Sequence, residues 1–149
     1  MKQVIKLLES SIQCLMSCNT SAEERIIMGS LTSLIRKWCD EKEIVFVSES
    51  AFKESKKLNV NLFEMRWKDQ PKFDKGRNIF HLEHKYPVSD MIMDMRSRPR
   101  DCENILLEYQ VGWILKDEDK RLKKFNRDNH DAIYKDAGIE LVFRKDSVL

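Results

Sequence analysis

The chain has 149 residues, 42% of them hydrophobic and 35% charged, which describes one domain with an ordinary core and excludes a disordered chain. Its 27 Lys and Arg against 25 Asp and Glu leave a net charge of +2, so any affinity for nucleic acid must come from local patches and not from the total. No run approaches the roughly 20 apolar residues of a membrane span, and Lys2, Lys6 and Glu9 interrupt the start, so no membrane and a cytoplasmic location are expected.

The first apolar pattern, Val4, Ile5, Leu7, Leu8, Ile12, Leu15 and Met16, recurs at spacings of three and four and predicts a helix from about Lys2 to Cys18. Asn19-Thr20-Ser21 breaks it. Thr20 or Ser21 can cap a second helix, with Glu23 and Glu24 in its first turn and an apolar face from Ile26 to Trp38. A short loop between two such helices predicts a helical hairpin. Its faces offer a surface for a homodimer or a protein partner. Cys14, Cys18, Cys39 and Cys102 lack Cys-x-x-Cys spacing and read as small core residues, with a zinc site as the alternative.

Glu43 to Ser48 has the β-branched and aromatic content of a strand, and Ser48 to Leu58 reads as a helix capped by Ser48 or Ser50. Between Asn59 and Asn78 the pattern dissolves into an ordered connection pinned by aromatics. The change of texture near residue 60 separates a mainly helical part, 1–60, from a second part, 61–149, within a single domain.

Phe80 to Asp90 holds the most suggestive chemistry, with two of the three histidines four residues or fewer apart and Glu83 between them. Strand alternation puts His81 and Glu83 on one face and Leu82 and His84 on the other, so Glu83 and His84 can serve one site only if the backbone bends or bulges. Pro87 ends the strand. Imidazole and carboxylate together suit a divalent metal, and imidazole accepts a proton near neutral pH. The alternative is an edge strand whose histidines are solvated.

Val88 to Arg100 carries four core-like apolar side chains and then Arg96, Arg98 and Arg100, a patch suited to phosphate. Asp101 can cap a helix through Tyr109, Val111 to Leu115 reads as a second strand, and Asp117 can cap a helix through Phe125. That helix carries Lys120, Arg121, Lys123 and Lys124. If it persists, Asn126 and His130 share a face. Gly138 looks like a helix C-cap before a last strand, Ile139 to Phe143.

Glu-His-x-x-Pro at 83–87, the second strand, and the segment Trp113 to Leu122 together resemble HNH endonucleases, the ββα-metal nucleases, over about residues 78–131. The resemblance implies an α+β fold, with the N-terminal helical hairpin joined to a ββα-metal-like core that has a helical insertion between its two strands. It further implies His84 as general base and Glu83, Asn126 and His130 around one divalent ion, Mg²⁺ or Mn²⁺, or Zn²⁺ given the imidazoles. The three arginines, with Lys120, Arg121, Lys123 and Lys124, would grip flanking DNA phosphates. The expected function is metal-dependent hydrolysis of DNA phosphodiesters, of the kind used in phage restriction or by mobile elements. The alternative is a non-catalytic protein-binding or DNA-binding adaptor on a decayed nuclease fold.

Overall fold

The computed structural model describes residues 2–125 and 132–144. The chain divides into two compact units: Met1–Cys39 with Tyr86–Tyr109, and Asp40–Lys85 with Gln110–Leu149. Each takes its residues from two separate stretches of sequence.

The first unit is helical. α1 (Lys2–Met16) and α2 (Ser21–Cys39) pack on each other and on α5 (Val88–Ser97), and α6 (Cys102–Glu108) packs on α1 and α5. Leu8, Ile12, Leu31, Ile35, Ile92, Met95, Cys102 and Leu106 are buried here, and the spacing of three and four along each helix explains why these side chains face inward. Thr20 Oγ1 accepts the Glu23 N–H at 3.2 Å while Glu23 Oε2 accepts the Thr20 N–H at 3.1 Å, a reciprocal cap that starts α2. Cys39 and Cys102 are core residues, whereas Cys14 is exposed.

The second unit is built on a four-stranded mixed sheet in the order β2-β3-β1-β4. Its strands are β1 (Ile44–Ser48), β2 (Phe80–His84), β3 (Val111–Leu115) and β4 (Leu141–Phe143); β1 runs parallel to β3, and the other two pairings are antiparallel. One face carries Phe80, Leu82 and Trp113 and packs Phe80 and Trp113 against Phe73 of the short α4 (Gln70–Phe73), with the Trp113 indole N–H donating to the Met65 carbonyl at 2.9 Å. The other face buries Phe46 and Ile114 under Leu122, Ile133, Tyr134 and Ala137, carried by α7 (Lys116–Leu122), α8 (Ala132–Asp136) and the turn after it. The architecture is therefore α+β. No helix among the described residues is long and apolar enough to cross a membrane.

Because β1 and β3 are parallel neighbours, they end at the same edge, and each turns directly into a helix: α3 (Glu49–Lys57) after β1 and α7 after β3. The two helix starts share one buried carboxylate. Ser48 Oγ caps α3 by accepting the Ala51 N–H at 3.1 Å and donates to Glu118 Oε2 at 2.5 Å, which also accepts the Leu115 N–H at 2.8 Å. The cap of α7 thus comes from Glu118 reaching back, and not from the expected Asp117, which is engaged with Lys120 at 2.9 Å. Ser48→Ala is expected to cost about 2 kcal/mol in urea unfolding, because α3 loses its cap and a buried carboxylate loses a donor.

Candidate metal centre

β2 pairs with β3 through five consecutive partners, from Phe80↔Leu115 to His84↔Val111, without a break in register. A bulge that could turn Glu83 and His84 to one side is therefore absent from this pair, and among the described residues the register shift in the sheet lies between Ile44 and Phe46. His81 and Glu83 project onto the face covered by α7 and α8, and His84 projects onto the other.

α7 brings a third ligand-type side chain to that face. Its sequence is almost wholly charged, yet Glu118, Asp119 and Leu122 are buried, because they form the stripe of the helix that meets the sheet. His81 Nε2 lies 3.5 Å from Glu83 Oε2 and 3.8 Å from Asp119 Oδ1. One donor atom from each of the three falls within 4.8 Å of the others. Ligand atoms around an ion bound at about 2.0–2.2 Å sit about 3.0–3.5 Å apart, so a small convergence would complete the set. One imidazole and two carboxylates suit a borderline or hard divalent ion. Exposure differs usefully: the His81 side chain is 36% exposed, Asp119 10% and Glu83 5%, so the cluster opens to solvent on the imidazole side.

The oxygens turned away from His81 also have donors. Glu83 Oε1 accepts from the Tyr134 hydroxyl at 3.4 Å, and Asp119 Oδ2 accepts from Lys123 Nζ at 2.7 Å. Tyr134 is buried and meets Phe46 edge-on with ring centroids 6.0 Å apart. Gly112 pairs with Glu83 on one side and Phe46 on the other, and its missing side chain gives the Phe46 ring its space.

Of the residues expected at the site, Glu83 is in this cluster and His84 lies across the sheet from it. Asn126 and His130 lie outside the described residues. Lys120, Arg121, Lys123 and Lys124 follow one another along and just after α7. Lys120 is paired with Asp117, whose hydrogen bond and charge raise the Lys120 pKa, and Arg121 lies 3.7 Å from Glu118 and donates to the Ala137 carbonyl at 3.1 Å. Arg96, Arg98 and Arg100 belong to the helical unit. There Arg96 binds Glu24 at 3.0 Å, Arg98 binds Asp101 at 2.8 Å, and Arg100 is exposed.

The sequence alone assigns no role to Asp119 or Tyr134, and for His81 it gives a shared face with Glu83 but no place among the ligands. The period-two alternation of β2 carried the signal for His81. Nothing local distinguished Asp119 from its acidic neighbours in the first turn of α7, since its place depends on how α7 lies over β2. Tyr134 reaches Glu83 across 51 positions of sequence. Comparison with protein-family models, with curated proteins and with solved structures found no match to this chain.

Proposed function

We propose that the chain is a metal-dependent endonuclease of the HNH type that hydrolyses DNA phosphodiester bonds, with the metal held by His81, Glu83 and Asp119. The observation that carries this reading is the convergence of one imidazole and two carboxylates at the junction of an antiparallel strand pair and the helix that follows it. The resemblance over residues 78–131 supports it, since strand, strand and helix come in the same order as β2, β3 and α7.

A bound Mg²⁺, Mn²⁺ or Zn²⁺ supplies positive charge against the scissile phosphate and lowers the pKa of a water it holds. The chain's own residues have distinct parts. Glu83 and Asp119 bring negative charge together under the helices that cover this face of the sheet, and His81 adds a ligand on the side open to solvent. Lys120, Arg121 and Lys124 border the same helix end and supply cationic contacts for flanking phosphates, which carry affinity but little sequence information. His84, turned to the other face of β2, has no part in the step under this proposal.

The test is nicking of supercoiled plasmid by the full chain with Mg²⁺, Mn²⁺ or EDTA, alongside His81→Ala, Glu83→Gln and His84→Ala. Metal-dependent nicking is expected, reduced about a hundredfold or more in the first two variants and unchanged in the third. Loss confined to His84→Ala would move the site to the opposite face of the sheet. A folded wild-type protein that nicks with none of these metals would overturn the nuclease reading in favour of a DNA-binding or protein-binding adaptor.

A further inference from the structure

We propose that Tyr134 and Lys123 are positioning residues that hold Glu83 and Asp119 as one-oxygen ligands, so that an ion at this centre keeps coordination positions open for substrate. The inference rests on the metal-site reading above and concerns what surrounds it.

The four carboxylate oxygens are divided between the cluster and donors outside it. Glu83 turns Oε2 toward His81 at 3.5 Å and Oε1 toward the Tyr134 hydroxyl at 3.4 Å. Asp119 turns Oδ1 toward His81 at 3.8 Å and Oδ2 toward Lys123 Nζ at 2.7 Å. In each carboxylate one oxygen faces the cluster and the other is engaged from outside it. A carboxylate with both oxygens free can chelate an ion through both, whereas one whose outer oxygen is engaged offers a single atom. Three single-atom ligands leave one position open on a four-coordinate ion and three on a six-coordinate ion. Chelation by both acids would supply five donor atoms, closing a four-coordinate ion to substrate and leaving one position on a six-coordinate ion.

The fold buries one positioning group and carries the other next to its acid. Tyr134 is buried, packed edge-on against Phe46, and the Ile139 N–H donates to its carbonyl at 2.7 Å. Lys123 caps the C-terminus of α7 with its N–H on the Asp119 carbonyl at 3.1 Å, which places its side chain one turn after the acid it engages. The two differ in kind. Tyr134 is neutral and buried, so its removal tests orientation alone. Lys123 is charged with its side chain 64% exposed, and its ammonium also repels an incoming cation, so orientation and charge pull metal affinity in opposite directions. Glutamine at 123 keeps a donor without the charge and separates the two effects.

The experiment is a Co²⁺ titration of the full chain followed by visible absorption, whose intensity falls as coordination number rises, with metal-free thermal unfolding as a check on folding. Tyr134→Phe is expected to weaken Co²⁺ binding about tenfold and to dim the band; Lys123→Gln keeps the wild-type band and binds at least as tightly as wild type, and Lys123→Ala, equally uncharged, dims the band and binds about tenfold more weakly than Lys123→Gln. Glu83→Gln reports on the underlying reading: a wild type that takes up no Co²⁺, or a Glu83→Gln variant that binds like wild type, overturns the metal site itself. If Glu83→Gln abolishes binding but Tyr134→Phe keeps wild-type affinity and spectrum and Lys123→Ala matches Lys123→Gln, the metal site stands and the positioning role is overturned.

Discussion

Gly112→Ala is expected to destabilise the protein by about 2–3 kcal/mol, an effect read from the urea midpoint. A Cβ at this position would lie 2.3 and 2.4 Å from two ring carbons of Phe46 and 2.4 Å from the Phe46 carbonyl oxygen. A ring can rotate away from one methyl group, but a backbone oxygen in a paired strand moves only if the strand moves. The register shift between Ile44 and Phe46 sits at this spot, where β1 approaches β3 closely, and glycine in a strand interior commonly marks such an approach. The same substitution should weaken Co²⁺ binding, because Phe46 supports Tyr134 and Tyr134 reaches Glu83. In a Phe46→Leu background the cost should shrink without vanishing, since the ring clash is reduced and the carbonyl clash remains. An unchanged midpoint for Gly112→Ala would show that β1 can slide outward freely.

Asp74→Ala is expected to cost about 3 kcal/mol or more. The Asp74 carboxylate accepts from the backbone N–H groups of Asn78 at 2.8 Å, Ile79 at 3.1 Å and Phe80 at 3.0 Å, and from the Gln70 amide at 2.9 Å. Consecutive left-handed residues, Gly76 at φ 75° and Arg77 at φ 54°, turn the chain so that these donors meet at one carboxylate, and the Arg77 guanidinium lies 3.6 Å over the Trp67 ring. Without the carboxylate, buried donors at the entrance to β2 are left aimed at an apolar methyl group. Burial by itself pushes the Asp74 pKa up, but the hydrogen bonds from Phe80, Gln70, Asn78 and Ile79 prevail and hold it below its ordinary value of 3.8. A carboxyl lowered on folding contributes its stability above the unfolded value and loses it as pH falls through the folded one. The stability gap between wild type and Asp74→Asn, measured by urea unfolding, should therefore be constant from pH 7 to about 5 and narrow below about pH 4. A gap of constant size down to pH 3 would remove the charge from the explanation.

The local elements were legible because their signals are local. The three-and-four spacing set α1 and α2, and the apolar run at 111–115 and the Pro87 stop set β3 and the end of β2. Alternation along β2 put His81 and Glu83 on a common face before any pairing was known. The parallel pairing of β1 with β3 joins strands more than 60 residues apart and leaves no mark in either. That pairing is what puts two helix starts side by side and Glu118 under Ser48. Residues 59–78 look patternless because much of their order comes from side chain to backbone bonds at Asn61, Met65, Asp69 and Asp74, which have no period. Asp119 was hidden for a related reason: an acid in a first turn has a sufficient local explanation, so its tertiary role adds nothing visible.

The twenty-four residues from Tyr86 to Tyr109 interrupt what is otherwise a hairpin, and their two ends meet: the Tyr109 hydroxyl donates to the Tyr86 carbonyl, with the two rings 6.5 Å apart. One residue further out, the Lys85 N–H donates to the Gln110 carbonyl at 3.1 Å, continuing the β2–β3 ladder. This arrangement bears on the order of assembly. Closing an unstructured loop of this length costs about 2 kcal/mol more than closing a two-residue turn. Helices that have already folded with their ends clasped by the tyrosine pair have met that cost in advance, and they deliver the two strands to each other in register. Cutting the chain anywhere within this stretch would therefore slow sheet formation while leaving every strand residue in place.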